Sequence, residues 1–167
     1  IHWYSKNNSV WRPENVGEAF FWGLENKFQW EIPLGKRPFT QIVPALSYQY
    51  IASYLLSYGY AFADRQRVPY CPEHTIGMSL GLHWKTGLLL IWGNFESLKY
   101  HDTLNHTVLS GRFLANVSVN QDIGKRFTVF AALKNILNSS YESFYDYPMP
   151  GITLDIGLRI KLEAKNE

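Results

Sequence analysis

Apolar and polar residues alternate with a period of two along most of the chain. From Leu46 to Tyr60 one phase reads Leu46, Tyr48, Tyr50, Ala52, Tyr54, Leu56, Tyr58 and Tyr60, while the other reads Ser47, Gln49, Ile51, Ser53, Leu55, Ser57 and Gly59. From Thr75 to Trp84 the split is cleaner, with Ile76, Met78, Leu80, Leu82 and Trp84 opposed to Thr75, Gly77, Ser79, Gly81 and His83. The last such segment sets Ile152, Leu154, Ile156, Leu158, Ile160 and Leu162 against Thr153, Asp155, Gly157, Arg159 and Lys161. Successive side chains of a strand point to opposite faces, so this alternation predicts strands with one apolar face. Segments 113–120 and 127–134 repeat the pattern, and 18–31 and 88–97 follow it less tidily. The sequence therefore predicts about seven full strands and a stub at 1–4.

The connections alternate in length. Short ones fall at Lys85-Thr86-Gly87 and Asp122-Ile123-Gly124-Lys125, with a Pro- and Gly-bearing turn at 32–38. Long ones are predicted at 5–17, 61–74, 99–111 and 138–151. Short turns at one end, long loops at the other and an outward apolar phase are the marks of a transmembrane β-barrel. Aromatics stand where interfacial belts would need them: Trp30, Trp84 and Phe127 beside the short turns, and Phe20, Tyr58, Tyr60, Phe95 and Phe113 nearer the long loops. The expected fold is all-β, an antiparallel up-and-down meander of about eight strands forming part of a transmembrane β-barrel. A soluble sandwich also alternates, but five Tyr on one strand face suit a bilayer interface better than a core.

Composition narrows the function classes. The 167 residues are 46% hydrophobic and only 18% charged, which excludes disorder. Sixteen Lys and Arg stand against fourteen Asp and Glu with no basic cluster, so no nucleic-acid partner is expected. The longest unbroken apolar runs, Leu88 to Trp92 and Val129 to Leu133, are far too short for a spanning helix. Cys71 is the sole cysteine and excludes an intrachain disulfide.

Four stretches, in order, resemble the C-terminal barrel of TonB-dependent outer-membrane receptors. They are Pro13-Glu14-Asn15-Val16-Gly17 followed by Gly23-Leu24-Glu25; Val68-Pro69-Tyr70-Cys71-Pro72-Glu73-His74; Leu133-Lys134-Asn135-Ile136-Leu137-Asn138 with Tyr141; and Tyr147-Pro148-Met149-Pro150-Gly151. The resemblance implies residues 1–163 as a receptor-like barrel segment, 164–167 as a polar tail, and an outer-membrane location. It implies a wall for uptake of iron chelates, cobalamin or similar solutes. The plug and about fourteen of the family's roughly 22 strands have no counterpart in these residues. The expected partners are therefore outer-membrane lipid and the missing strands and plug of the same or a longer chain. The TonB energy-coupling complex joins only where a plug is present. By itself this segment is expected to be incompetent for transport. A self-contained eight-stranded pore or adhesion barrel, and a soluble lipid- or sugar-binding β domain, remain the alternatives.

No enzyme, cofactor or metal is expected. Gly77-Met78-Ser79-Leu80-Gly81 matches the nucleophile-elbow spacing, but that elbow needs a strand-to-helix turn, and here it lies within a strand pattern. Cys71, Glu73 and His74, or His101, Asp102 and His106, hold ligating side chains without strong ligand spacing. The outer-loop candidates for contacting a ligand are Asp64, Arg65, Arg67, His101 and Asp102. Inward Glu25, Lys27, Lys134, Asp155, Arg159 and Lys161 would face a plug or water, because a charge on the lipid side costs roughly 2–4 kcal/mol at the bilayer midplane.

Overall fold

The computed structural model describes residues 2–5, 11–14, 18–35, 38–57 and 65–162. Seven long strands form the path of one sheet: β1 (Glu18–Gln29), β2 (Phe39–Ser57), β3 (His74–Trp84), β4 (Gly87–Glu96), β5 (Arg112–Ile123), β6 (Phe127–Lys134) and β7 (Thr153–Ile160); an eighth, the two-residue strand Ile32–Pro33, lies off that path and pairs antiparallel with β2. Each pairs antiparallel with its neighbours in sequence, so the order across the sheet is β1 to β7 without a crossover. Residues 30–38, Lys85-Thr86 and 124–126 join strands at one rim, and the three long connections lie at the other. The expected meander and its two unlike rims are both present.

Register decides which side chains share a face. The paired chain Phe28–Leu46–Met78–Gly93–Ala115 and the chain Leu80–Ile91–Val117–Leu133–Leu154 lie on one face with Trp22, Ile76, Phe95, Val129, Ile156 and Leu158. The opposite face carries Glu25, Ser47, Gly77, Ser79, Asn94, Asn116, Ser118, Asp155 and Arg159. Among the described residues only Ala52, Leu55 and Leu109 are buried apolar side chains, whereas Ile156 is 70% and Trp22 58% exposed. A soluble domain of this length buries a core. Here the apolar surface covers a whole face instead, as a wall turned to lipid requires.

Three features depart from the expected strand list. Residues 2–5 pair with Trp11–Glu14 in a two-stranded sheet of their own, so the stub does not join the main sheet, and the predicted loop at 5–17 contains its short partner strand. The loops at 99–111 and 138–151 also hold small hairpins, Lys99–Tyr100 with Val108–Leu109 and Glu142–Phe144 with Tyr147–Pro148. Finally, β2 starts at Phe39, seven residues before its alternation becomes clear. Pro44 is tolerated there because β1 is ending: its carbonyl still accepts from Trp30 N–H at 3.1 Å, and only the return donor is lost.

Local chemistry holds the tight rim. Trp84 Nε1 donates to Gln121 Oε1 at 3.0 Å, and Gln121 Nε2 donates to Thr86 Oγ1 at 2.9 Å, which ties the β3–β4 turn to β5. Gly124, with φ +66°, turns the chain between β5 and β6 where a side chain would be strained.

Candidate functional site at the loop-side rim

The long connections interlock rather than splay. After β2, Arg65 N–H donates to Leu55 C=O at 2.8 Å and Leu55 N–H to Gln66 C=O at 2.9 Å, so residues 65–67 run back along the end of β2. The Arg67 guanidinium lies 5.1 Å above the Tyr54 ring and pairs with Glu73 at 2.7 Å. Its backbone N–H donates to Asn105 Oδ1 at 2.6 Å, and Asn105 Nδ2 returns a bond to Arg67 C=O at 3.0 Å. The hydrogen bond from Arg67 holds the Glu73 carboxyl below its ordinary range, more than offsetting the effect of burial.

Tyr70 is the second link. Held at a φ of 59°, it donates its N–H to Tyr100 C=O at 2.7 Å and hydrogen-bonds His101 Nδ1 through its hydroxyl. His101 stacks on Tyr145 with centroids 4.5 Å apart, and Tyr70 packs against Phe144 at 5.3 Å. Three connections thereby meet at one aromatic cluster. Ser97 Oγ accepts from the N–H groups of Glu73 and His74, both at 3.1 Å, closing a cleft of about 330 Å³ between Arg67, Glu73, His74 and Tyr100.

Toward β5, Arg112 reaches Glu96 at 2.9 Å and Ser143 Oγ at 2.8 Å, and lies 4.8 Å over the Tyr141 ring, while Lys99 joins Glu96 at 3.3 Å. Arg112, Glu96 and Asn105 are not legible as site residues, because Arg112 meets Glu96 only across the β4–β5 pairing and Asn105 meets Arg67 only in another connection, and no local spacing announces either.

The outer-loop candidates occupy different positions. Asp64 lies outside the described residues. Arg65 is exposed beside the chain end of β2, with a positive φ of 64°. Arg67 and His101 belong to the interlocked cluster. Asp102 turns inward on its own loop, accepting from the N–H groups of Leu104 at 2.9 Å, His106 at 3.1 Å and Thr107 at 2.6 Å. Burial raises its carboxyl's pKa, yet those three donors outweigh that and hold it below the usual aspartate range.

The motif residues are brought together where their backbones demand it. Asn15 and Gly17 lie outside the described residues. Gly23 sits where an added Cβ would meet Tyr50 C=O at 2.6 Å, and Glu25 pairs with Lys27 at 2.8 Å on the polar face. Pro69 and Pro72 flank Tyr70 in the connection that delivers His74, whose Nδ1 hydrogen-bonds Tyr48 Oη at 2.9 Å. Asn135 ends β6 with a φ of 51°; its N–H donates to Asn116 Oδ1 at 3.0 Å, and its amide bonds Ser139 and Pro150 C=O. Tyr147 and Pro148 form one side of the last loop's hairpin, and Pro150-Gly151 leads into β7. Ser79 of the Gly-x-Ser-x-Gly spacing lies in the middle of β3 on its polar face, away from any turn.

The assembled geometry is a sheet with one apolar and one mostly polar face, braced by its long connections at one rim. Three solved structures resemble the fold: the siderophore receptor PiuA from Acinetobacter baumannii, the ferric yersiniabactin uptake receptor FyuA from Yersinia pestis, and the ferric citrate transporter FecA in its unliganded form. Their TM-scores are 0.72, 0.66 and 0.65, at identities of 15%, 16% and 18% over 87%, 87% and 72% of this chain. The chain spans only 22%, 24% and 21% of those chains, respectively. The likeness establishes the fold alone, an antiparallel meander shaped like a section of those receptors' β-barrel walls. No family model and no curated protein matches the sequence.

Proposed function

We propose that these residues form the C-terminal wall section of a TonB-dependent receptor that takes up iron chelates, cobalamin or a similar scarce solute across the outer membrane. The carrying observation is the apolar face running through all seven long strands, opposed by a face that is polar on most of them. The siderophore receptor and the ferric yersiniabactin and ferric citrate proteins among the structural neighbours support the solute class. Among the described residues, β1 and β7 are sheet edges. In lipid each unpaired backbone group costs several kcal/mol, so these edges require further strands of the same or a longer chain. The section supplies wall and rim. A plug and the TonB energy-coupling complex act only through the rest of the receptor, and the section alone does not transport.

Surface labelling tests the placement. In intact cells carrying the Cys71→Ser background, a membrane-impermeant maleimide is expected to modify Leu104→Cys in the 97–111 loop and to spare Lys85→Cys in the β3–β4 turn until the outer membrane is permeabilised. Modification of Lys85→Cys alone would reverse the assigned orientation, and modification of both in intact cells would remove the membrane barrier between the rims.

A further inference from the structure

Among the described residues β1 and β7 are the two edges of the main sheet, and neither is protected against pairing. Natural proteins blunt an exposed edge with proline, a bulge or a very short strand. Here β1 has 12 residues and β7 has 8, neither contains proline, and the one register irregularity, between Glu18 and Ala19, lies at the very start of β1. The two edges also share a direction. β1 starts at the loop-side rim and ends where residues 30–38 turn back, while β7 follows the last long connection and ends opposite Phe127, beside the 124–126 turn. Seven antiparallel strands in sequence are an odd number, so both edges run from the loop-side rim to the tight-turn rim.

We infer that each edge is capped by a strand running the other way, from the tight-turn rim to the loop-side rim, and that the section completing the wall has an odd number of strands and is not a second copy of these residues. The inference rests on the proposed receptor-wall reading and specifies the partner of its edges. Outer-membrane walls close antiparallel throughout, which takes an even number of strands. Pairing β7 with β1 would be parallel, whether within one chain or between two copies that share an orientation in the bilayer. A two-fold axis that made two such edges antiparallel would turn one copy upside down, with its long connections on the opposite side of the membrane. Only a different section, bounded by two strands of the opposite direction, satisfies both edges at once.

The test places photoreactive p-benzoylphenylalanine singly at position 20, 28, 154 or 160 of the full gene product in its membrane. Phe20 and Leu154 stand toward the loop-side ends of β1 and β7, Phe28 and Ile160 at the tight-turn ends, all on the apolar face. After irradiation, mass spectrometry identifies the residue captured on the free side of each edge. Within the strand beside β1, position 28 is expected to capture an earlier residue than position 20; within the strand beside β7, position 160 should capture an earlier residue than position 154. Trp22, Leu24, Ile156 and Leu158, next inward on the same face, stand in for any position whose variant fails to reach the membrane. The reverse order at either edge, or capture of β1 by β7, would overturn the inference and leave the lipid-facing wall standing. Capture of β2 and β6 alone would show the edges unpaired and overturn it as well. Recovery of the protein from the aqueous fraction, with no neighbour captured at any position, would overturn both the inference and the wall reading.

Discussion

Asn135 ends β6 in a left-handed conformation and directs its amide at both Ser139 and Pro150, while its own N–H is capped by the Asn116 side chain. Only 4% of its surface is exposed, so water cannot replace lost partners. Asn135→Ala is expected to cost about 1–3 kcal/mol for the unsatisfied groups, with added strain at φ 51°. Asn135→Gly should relieve the strain but not restore the bonds. Amide exchange at Ser139 reads this directly: it should accelerate in both variants, and more in the alanine one, whereas unchanged exchange would show that the amide does not hold the loop. A second prediction follows from Glu73 and Asp102, whose carboxyls both lie below their ordinary values in the fold. A depressed native pKa contributes stability that is complete above the unfolded pKa and is lost as pH falls through the folded one. The rim should therefore stay closed through pH 5 and loosen only below about pH 4, near and under the free aspartate value. Peptic nicking within residues 101–107 should follow that course. Nicking that sets in between pH 5 and 6 would contradict it. Such residue-scale bonds are invisible in sequence because Arg67–Asn105 joins two separate loops and Arg112–Ser143 joins the start of β5 to the last loop.

Strands were legible wherever the two faces differ in polarity. β3 and β7 alternate cleanly, and their register puts Leu80 and Leu154 on the face expected from phase alone. β4 was harder to read because its inner face is apolar too, with Leu88, Leu90 and Trp92 opposite Leu89 and Ile91. The start of β2 was hidden by Pro44 and by the absence of alternation before Leu46. In the candidate site, the Pro-rich stretch ahead of His74 and the Asn135 turn could be seen as motifs, but not what they grip. The face assignment predicts an asymmetry between charged substitutions. Ile156→Lys, central on the lipid face of β7, should destabilise by roughly 2–4 kcal/mol, while Ser118→Lys on the lumen face should stay within about 0.5 kcal/mol. Urea-dependent folding of the full gene product into vesicles measures both, and equal penalties would mean that the two faces share one environment.

At the scale of the whole molecule, seven strands leave β1 and β7 as edges, and closing so few would leave a lumen filled by side chains, with no space for a bulky chelate. The purified 167-residue chain is accordingly expected to aggregate in detergent or to remain soluble only with complementary strands; a monodisperse, heat-resistant monomer that conducts ions in planar bilayers would favour a small self-contained pore instead. The central claim, a wall with one face in lipid, is tested most directly by fluorescence quenching in brominated-lipid vesicles, with a label at position 80 or 79 of the Cys71→Ser full gene product. Strong quenching at Leu80→Cys and weak quenching at Ser79→Cys is the predicted result; equal quenching, or stronger quenching at Ser79→Cys, would contradict it.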